Sequence, residues 1–128
     1  MRLLLDTHIL LWALTDDPRL STRARELLLD TRNDVFFSAA SLWEIAIKRT
    51  LRREDMPISA DQAIRLFNKA GYEELGISAA HAVAVESLPP IHTDPFDRML
   101  VAQAISEPLC LITHDSIVAS YHNGIILA

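Results

Sequence analysis

Five carboxylates stand where this chain changes character: Asp6 closes the run MRLLLD, Glu44 sits inside SLWEIAIK, Asp94 and Asp97 flank Pro95 in HTDPFDR, and Asp115 ends LITHD. An ionised carboxylate buried without a partner costs several kcal/mol or takes up a proton, so an acid set against aliphatic residues is a cap, half of an ion pair, or a chemical group. Each of the five has an ordinary reading. Asp6 and Asp115 suit helix N-caps, Ser41 and Glu44 have capping-box spacing, and Asp94 with Asp97 has the same spacing more loosely. Taken singly the cap is favoured for each, worth ~1 kcal/mol. Taken together they point elsewhere, because acids from segments spread over the whole chain would repel and protonate if crowded, unless a cation held them. Mg²⁺ or Mn²⁺ fits such a donor set, since hard cations prefer carboxylate and water oxygens and leave room for a phosphate.

The elements that would position these acids are legible from apolar periodicity. RLLLD, VFFS, LCLITH and GIILA read as short buried strands, and GYEELGI as a weak one. Helices are predicted over THILLWAL, STRARELLLDTR after a turn with Ser21 as cap, SLWEIAIKRTLRR, AIRLFNKA behind a Ser59–Gln62 capping box, AAHAVAVESL capped by Ser78 and stopped by Pro89-Pro90, and PFDRMLVAQAISE with Pro95 as first residue. SIVASY reads as a short helical turn. Continuous apolar strands alternating with helices imply an α/β fold, three layers deep, with a parallel sheet covered on both faces. Right-handed crossovers then bring every strand's carboxyl end, and with it the acids, to one edge.

Bulk properties bound the options. With 128 residues, half of them hydrophobic, and only three glycines, one domain without a linker or repeat is expected. A formal charge of -5 argues against general polyanion binding, so any contact with nucleic acid must be local. Cys110 is the only cysteine and reads as a small buried thiol, which makes a reducing cytoplasm the expected setting. Asp6 breaks the first apolar run before it reaches the length of a secretory signal, and nothing approaches the ~20 apolar residues of a membrane span. His8, His81, His92, His114 and His122 show no zinc-ligand spacing and read as structural, surface or outer hydrogen-bonding residues. A receiver-type phosphoacceptor would need a lysine beyond Lys69, a haloacid-dehalogenase-like phosphatase an aspartate where His8 stands, and a nucleotide hydrolase a GxxxxGK loop; none of these is present.

LLLDTHILLW, SAASLWEIAIK, HTDPFDRMLVAQA and LITHD together resemble the four motifs of PIN-domain ribonucleases, specifically the VapC-type toxins of toxin–antitoxin pairs, and the likeness runs over essentially the whole chain. It implies a PIN-like three-layer α/β/α fold whose central parallel sheet has about five strands with the first in the middle. It also implies a Mg²⁺- or Mn²⁺-dependent endoribonuclease, leaving a 5′-phosphate and a 3′-hydroxyl. Asp6, Glu44 and Asp97 match the three core acids and Asp115 the fourth, all four as catalytic metal ligands; Asp94 matches an extra aspartate, expected as a cap or outer partner. Thr7, Ser41 and Thr113 would orient waters or ligands, with helix capping an equal alternative. Lys48 and Arg52, joined by Arg49 and Arg53, would guide RNA or else form a solvated helix end, and Arg98 would grip a phosphate or, more simply, pair with an acid. A homodimer and a cognate antitoxin are implied as partners, with Leu11, Trp12, Leu14 and Trp43 serving either as core or as anchors. The competing readings are a non-catalytic module on the same scaffold and a metal-dependent phosphatase.

Overall fold

The computed structural model describes residues 1–51 and 56–128. Five parallel strands, β1 (Arg2–Leu5), β2 (Asp34–Ser38), β3 (Glu73–Leu75), β4 (Cys110–Thr113) and β5 (Ile126–Leu127), form one sheet in the order β3-β2-β1-β4-β5. The first strand is therefore central, with Leu3 opposite Val35 on one side and Cys110 on the other. Alternate residues of a strand face opposite sides, and the buried sets divide accordingly. Leu3, Leu5, Val35, Phe37 and Ile112 belong to one core, and Leu4, Phe36 and Leu111 to the other.

Helices α1 (Thr7–Thr15), α2 (Thr22–Leu29) and α4 (Ala60–Lys69) cover the first core, whereas α6 (Pro95–Ser106) and α7 (Ser116–Ala119) cover the second. Helix α3 (Ala39–Leu51) reaches both, placing Ile45 in the first and Ala40 in the second, and α5 (Ala79–Val85) packs beside α6. Phe37 and Phe67 meet at 4.8 Å between ring centroids at the centre of the first core, both fully buried. Truncating Phe37→Ala should cost ~3–5 kcal/mol by cavity formation, read as a lowered urea midpoint.

Most of the local signals act as their residue types suggest. Ser21, Ser59 and Ser78 each accept a backbone N–H at a helix start, the last two inside capping boxes, and Pro95 opens α6. Gly71, at φ +83°, turns the chain out of α4 toward β3, a conformation that costs glycine least. Some expected helix boundaries move: α2 ends at Leu29, three residues short of Arg32. Helix α3 begins at Ala39 rather than Ser41, because the buried Ser38 hydroxyl accepts the Ala40 N–H at 3.0 Å and itself donates to Gln103 at 2.6 Å, fixing the turn two residues early. Ser41 and Glu44 consequently lie inside the helix and form no capping box. Helix α5 ends at Val85, three residues short of Leu88, as its exit tightens into turns joining Ser87 to Ala84 and Leu88 to Val85.

The chain runs outward from β1 through β2 to β3, then crosses to β4 on the other side of β1. The loops after β1 and β4 thus lead to opposite faces, α1 on one and α7 on the other, and leave a crevice at the strands' carboxyl ends. Asp6 and Asp115 follow those two strands.

Candidate metal centre

Asp6, immediately after β1, is only 3% exposed. Each carboxylate oxygen has a partner here: Oδ1 accepts the Ile9 N–H at 2.9 Å, capping α1, and Oδ2 accepts the Thr113 hydroxyl at 2.5 Å. Thr113 ends β4, and its oxygen also accepts the Asp115 N–H at 3.1 Å, so one hydroxyl ties the acid of β1 to the turn that carries the acid of β4. Asp115 in turn caps α7 through the Ile117 N–H at 2.8 Å. Asp94 caps α6, its Oδ1 accepting from Phe96 at 2.8 Å and Asp97 at 3.1 Å, which leaves Asp97 in the third helical position facing the crevice. The cap and the site are thus not alternatives, since the same carboxylates that start the helices meet at the crevice.

Asp97 records how closely they meet. Burial and then the negative charges of Asp94, Asp6 and Glu44 push its carboxyl up to about 7, against a smaller opposing effect of His92. Two histidines complete the surroundings. His92 Nε2 lies 3.2 Å from Asp97 Oδ2 and 3.5 Å from Asp115 Oδ2, and the three side chains offer ligand atoms within 4.8 Å of one another. His114 Nδ1 lies 3.5 Å from Asp6 Oδ2, and its bond to Asp6 raises it from the usual imidazole value. His8, packed edge-on against His114 at 4.8 Å, is lowered by burial.

Glu44 comes from the second turn of α3 and is 4% exposed. Its Oε2 pairs with Lys48 Nζ at 2.6 Å, one helical turn on. Its Oε1 is buried with no hydrogen-bond partner among the described residues. Thr7 donates to Ser41 at 2.9 Å, locking α1 against α3 beside this acid.

A profile of the PIN domain matches residues 3–122 of the chain. The chain belongs to the PIN domain family. Similar solved structures share the fold at low identity. The VapBC2 complex of Rickettsia felis bound to a promoter DNA fragment is 19% identical with a TM-score of 0.69, covering 100% of this chain and 98% of that one. A toxin–antitoxin complex from Klebsiella pneumoniae is 19% identical with a TM-score of 0.65, over 96% and 94%. FitAcB from Neisseria gonorrhoeae is 20% identical with a TM-score of 0.63, over 98% and 96%. Comparison with curated protein sequences gives no match.

The residues of this PIN domain fit a hard divalent cation. Several carboxylates reach one crevice, burial and the charges of the others raise one of them to about 7, and a buried carboxylate oxygen lacks a donor among the described residues. Such an oxygen costs roughly 1–3 kcal/mol or more when left unmet, and a cation is the partner that also relieves the repulsion.

Several weaker expectations land differently in the PIN domain. Lys48 is engaged with Glu44, so its charge already belongs to the acid group. Arg49 donates to the Met56 carbonyl at 2.8 Å and is not presented along a common basic face. Arg52 and Arg53 lie outside the described residues. Arg98 pairs with no acid among the described residues: its guanidinium donates to the carbonyls of Pro89 and Val85 and to the Tyr121 hydroxyl, in place of the expected ion pair. Trp43 is 59% exposed and stacks edge-on with Phe96 at 5.2 Å, so it is no core residue. Trp12 is half-buried beneath the Arg19 guanidinium and lines a groove of about 500 Å³ with His8, Leu11, Lys48 and Met56, beside the carboxylates and not over them.

The bridging position of His92 and the anchoring by Tyr121 escaped sequence reasoning. The one available signal was His92 two residues ahead of the Asp94 cap, a place from which a short side chain folds back over a helix start.

Proposed function

We propose that this PIN domain is a Mg²⁺- or Mn²⁺-dependent endoribonuclease acting as the toxin of a toxin–antitoxin pair. The observation that carries the reading is the unpartnered, buried Oε1 of Glu44 at the edge where Asp6, Asp97 and Asp115 also arrive. Asp6, Glu44, Asp97 and Asp115 are the groups that would hold the cation, and Asp94 keeps its capping role. When bound, a divalent cation makes water a competent nucleophile near neutral pH and neutralises charge on the phosphate and leaving oxygen.

The chain's own residues supply the rest. Thr113 fixes the direction of the Asp6 carboxylate and the Thr7–Ser41 bond holds α1 and α3 at a constant spacing, which keeps Asp6 and Glu44 in register. Lys48 balances the Glu44 charge until substrate arrives, and its exposed stem lets the ammonium turn toward a phosphate. An anionic substrate is thus met by local positive charge within an acidic protein.

The toxin role with a cognate antitoxin is supported by the toxin–antitoxin complexes among the similar structures; a homodimer and a cytoplasmic setting belong to the same proposal. The groove beside Trp12 is where an antitoxin segment would seat. Among the described residues no helix is long and apolar enough to cross a membrane. Purified protein should cut RNA with Mg²⁺ or Mn²⁺ and stop when EDTA is added, while leaving a chromogenic phosphate ester intact. Turnover of the ester with uncut RNA would reverse the reading toward a phosphatase.

A further inference from the structure

His92 sits among the carboxylates with both ring nitrogens committed. Its Nδ1 accepts the backbone N–H of Thr93 at 2.9 Å and of Asp94 at 3.3 Å. A ring nitrogen that accepts N–H groups is using its lone pair and carries no hydrogen, so the ring's hydrogen is on Nε2. That nitrogen faces Asp97 Oδ2 at 3.2 Å and Asp115 Oδ2 at 3.5 Å. The surroundings hold the ring there. The Tyr121 hydroxyl accepts the His92 N–H at 2.7 Å and an Arg98 N–H at 3.1 Å, and Arg98 is pinned to the Pro89 and Val85 carbonyls at 3.0 and 3.1 Å.

An Nε2 that bears hydrogen has no lone pair to give a cation. We propose that His92 is a positioning residue whose Nε2–H is shared between Asp97 of α6 and Asp115 at the start of α7. It draws the two carboxylates together and is not itself a metal ligand, although its nitrogen lies within ligand range of their oxygens. The cation's protein ligands are then oxygens alone, which favours hard ions over zinc. Arg98 and Tyr121 acquire a purpose as well: they set the height of the loop from which His92 reaches the acids. This inference rests on the cation reading of the carboxylates for its consequence, but not for the placement of the hydrogen.

The test is the tautomer of His92 in the ¹⁵N-labelled full chain, read from long-range ¹H–¹⁵N correlations without metal and with Mg²⁺ added, the resonances assigned by their loss in His92→Gln. The expected result is an unprotonated Nδ1 and a protonated Nε2 in both conditions. Hydrogen on Nδ1 in the metal-free protein, or loss of the Nε2 hydrogen when Mg²⁺ is added, overturns the proposal. If Mg²⁺ perturbs no resonance while the Nε2–H persists, the clamp is upheld and the cation centre falls instead. A second arm reads Mn²⁺ affinity by calorimetry. His92→Ala should weaken it roughly 10–100-fold, the range found for outer partners of ligating groups, and His92→Gln, whose amide restores an N–H near the Nε2 position, should recover most of that loss. Equal loss in both variants contradicts a donor role.

Discussion

Asp6→Asn is expected to abolish RNA cleavage while leaving the fold intact. Asparagine is as good an N-cap as aspartate, so its Oδ1 can keep the Ile9 N–H bond that starts α1. The new amide replaces Oδ2, where the Thr113 hydroxyl now donates, but a hydroxyl rotates and can accept instead. The folding cost is therefore about 1 kcal/mol. Function should lose far more, because the exchange removes a negative charge and an oxygen of the proposed ligand set from the crevice. Loss of a mere outer partner costs 10–100-fold, so removal of a direct ligand should exceed roughly 100-fold in cleavage rate at saturating Mn²⁺. Cleavage at the parent rate by a folded Asp6→Asn protein would remove Asp6 from the chemistry.

Asp97 should show the opposite trade, with activity lost and stability gained. Its carboxyl is raised from 3.8 to about 7 in the folded protein. Between those values the native state keeps a proton that the unfolded chain has released, so stability of the metal-free protein falls as pH rises through this window. The contribution is fully present below about pH 4 and gone above pH 7, a difference on the order of a few kcal/mol for a side chain 23% exposed. In EDTA, thermal unfolding should thus occur at lower temperature at pH 8 than at pH 5 on account of this group. Asp97→Asn, which carries no charge to repel, should flatten that dependence and melt several degrees above the parent at pH 8. Added Mg²⁺ should raise the parent's melting temperature and leave the variant nearly unmoved. Parallel pH profiles for parent and variant would mean that Asp97 does not feel Asp94, Asp6 and Glu44 as the geometry requires.

Much of this centre was legible because it is built from signals that act over a few residues. Short apolar strands, capping serines, Pro95 at a helix start and acids just beyond strand ends all follow local rules, and a parallel sheet carries those ends to one edge. The placement of β1 in the middle came with the family resemblance, and the sheet order agrees with it. What stayed hidden depends on partners far apart in the chain. The Ser38 hydroxyl that moves the start of α3 is fixed by Gln103, 65 residues away, and Thr113 finds Asp6 across 107 residues. Lys48 lies at the right spacing for either a basic surface or an ion pair, and only the burial of Glu44 decides for the pair. Arg98 finds its partners in the same way: the Val85 and Pro89 carbonyls, in the turns after α5, accept its guanidinium N–H groups.

The direct test of the whole account is a calorimetric titration of the metal-free protein with MnCl₂ at pH 7.5. Saturable uptake that disappears in Asp6→Asn and Asp97→Asn, both still folded by circular dichroism, is the predicted result. No uptake by the parent protein, or uptake unchanged in both variants, would contradict it.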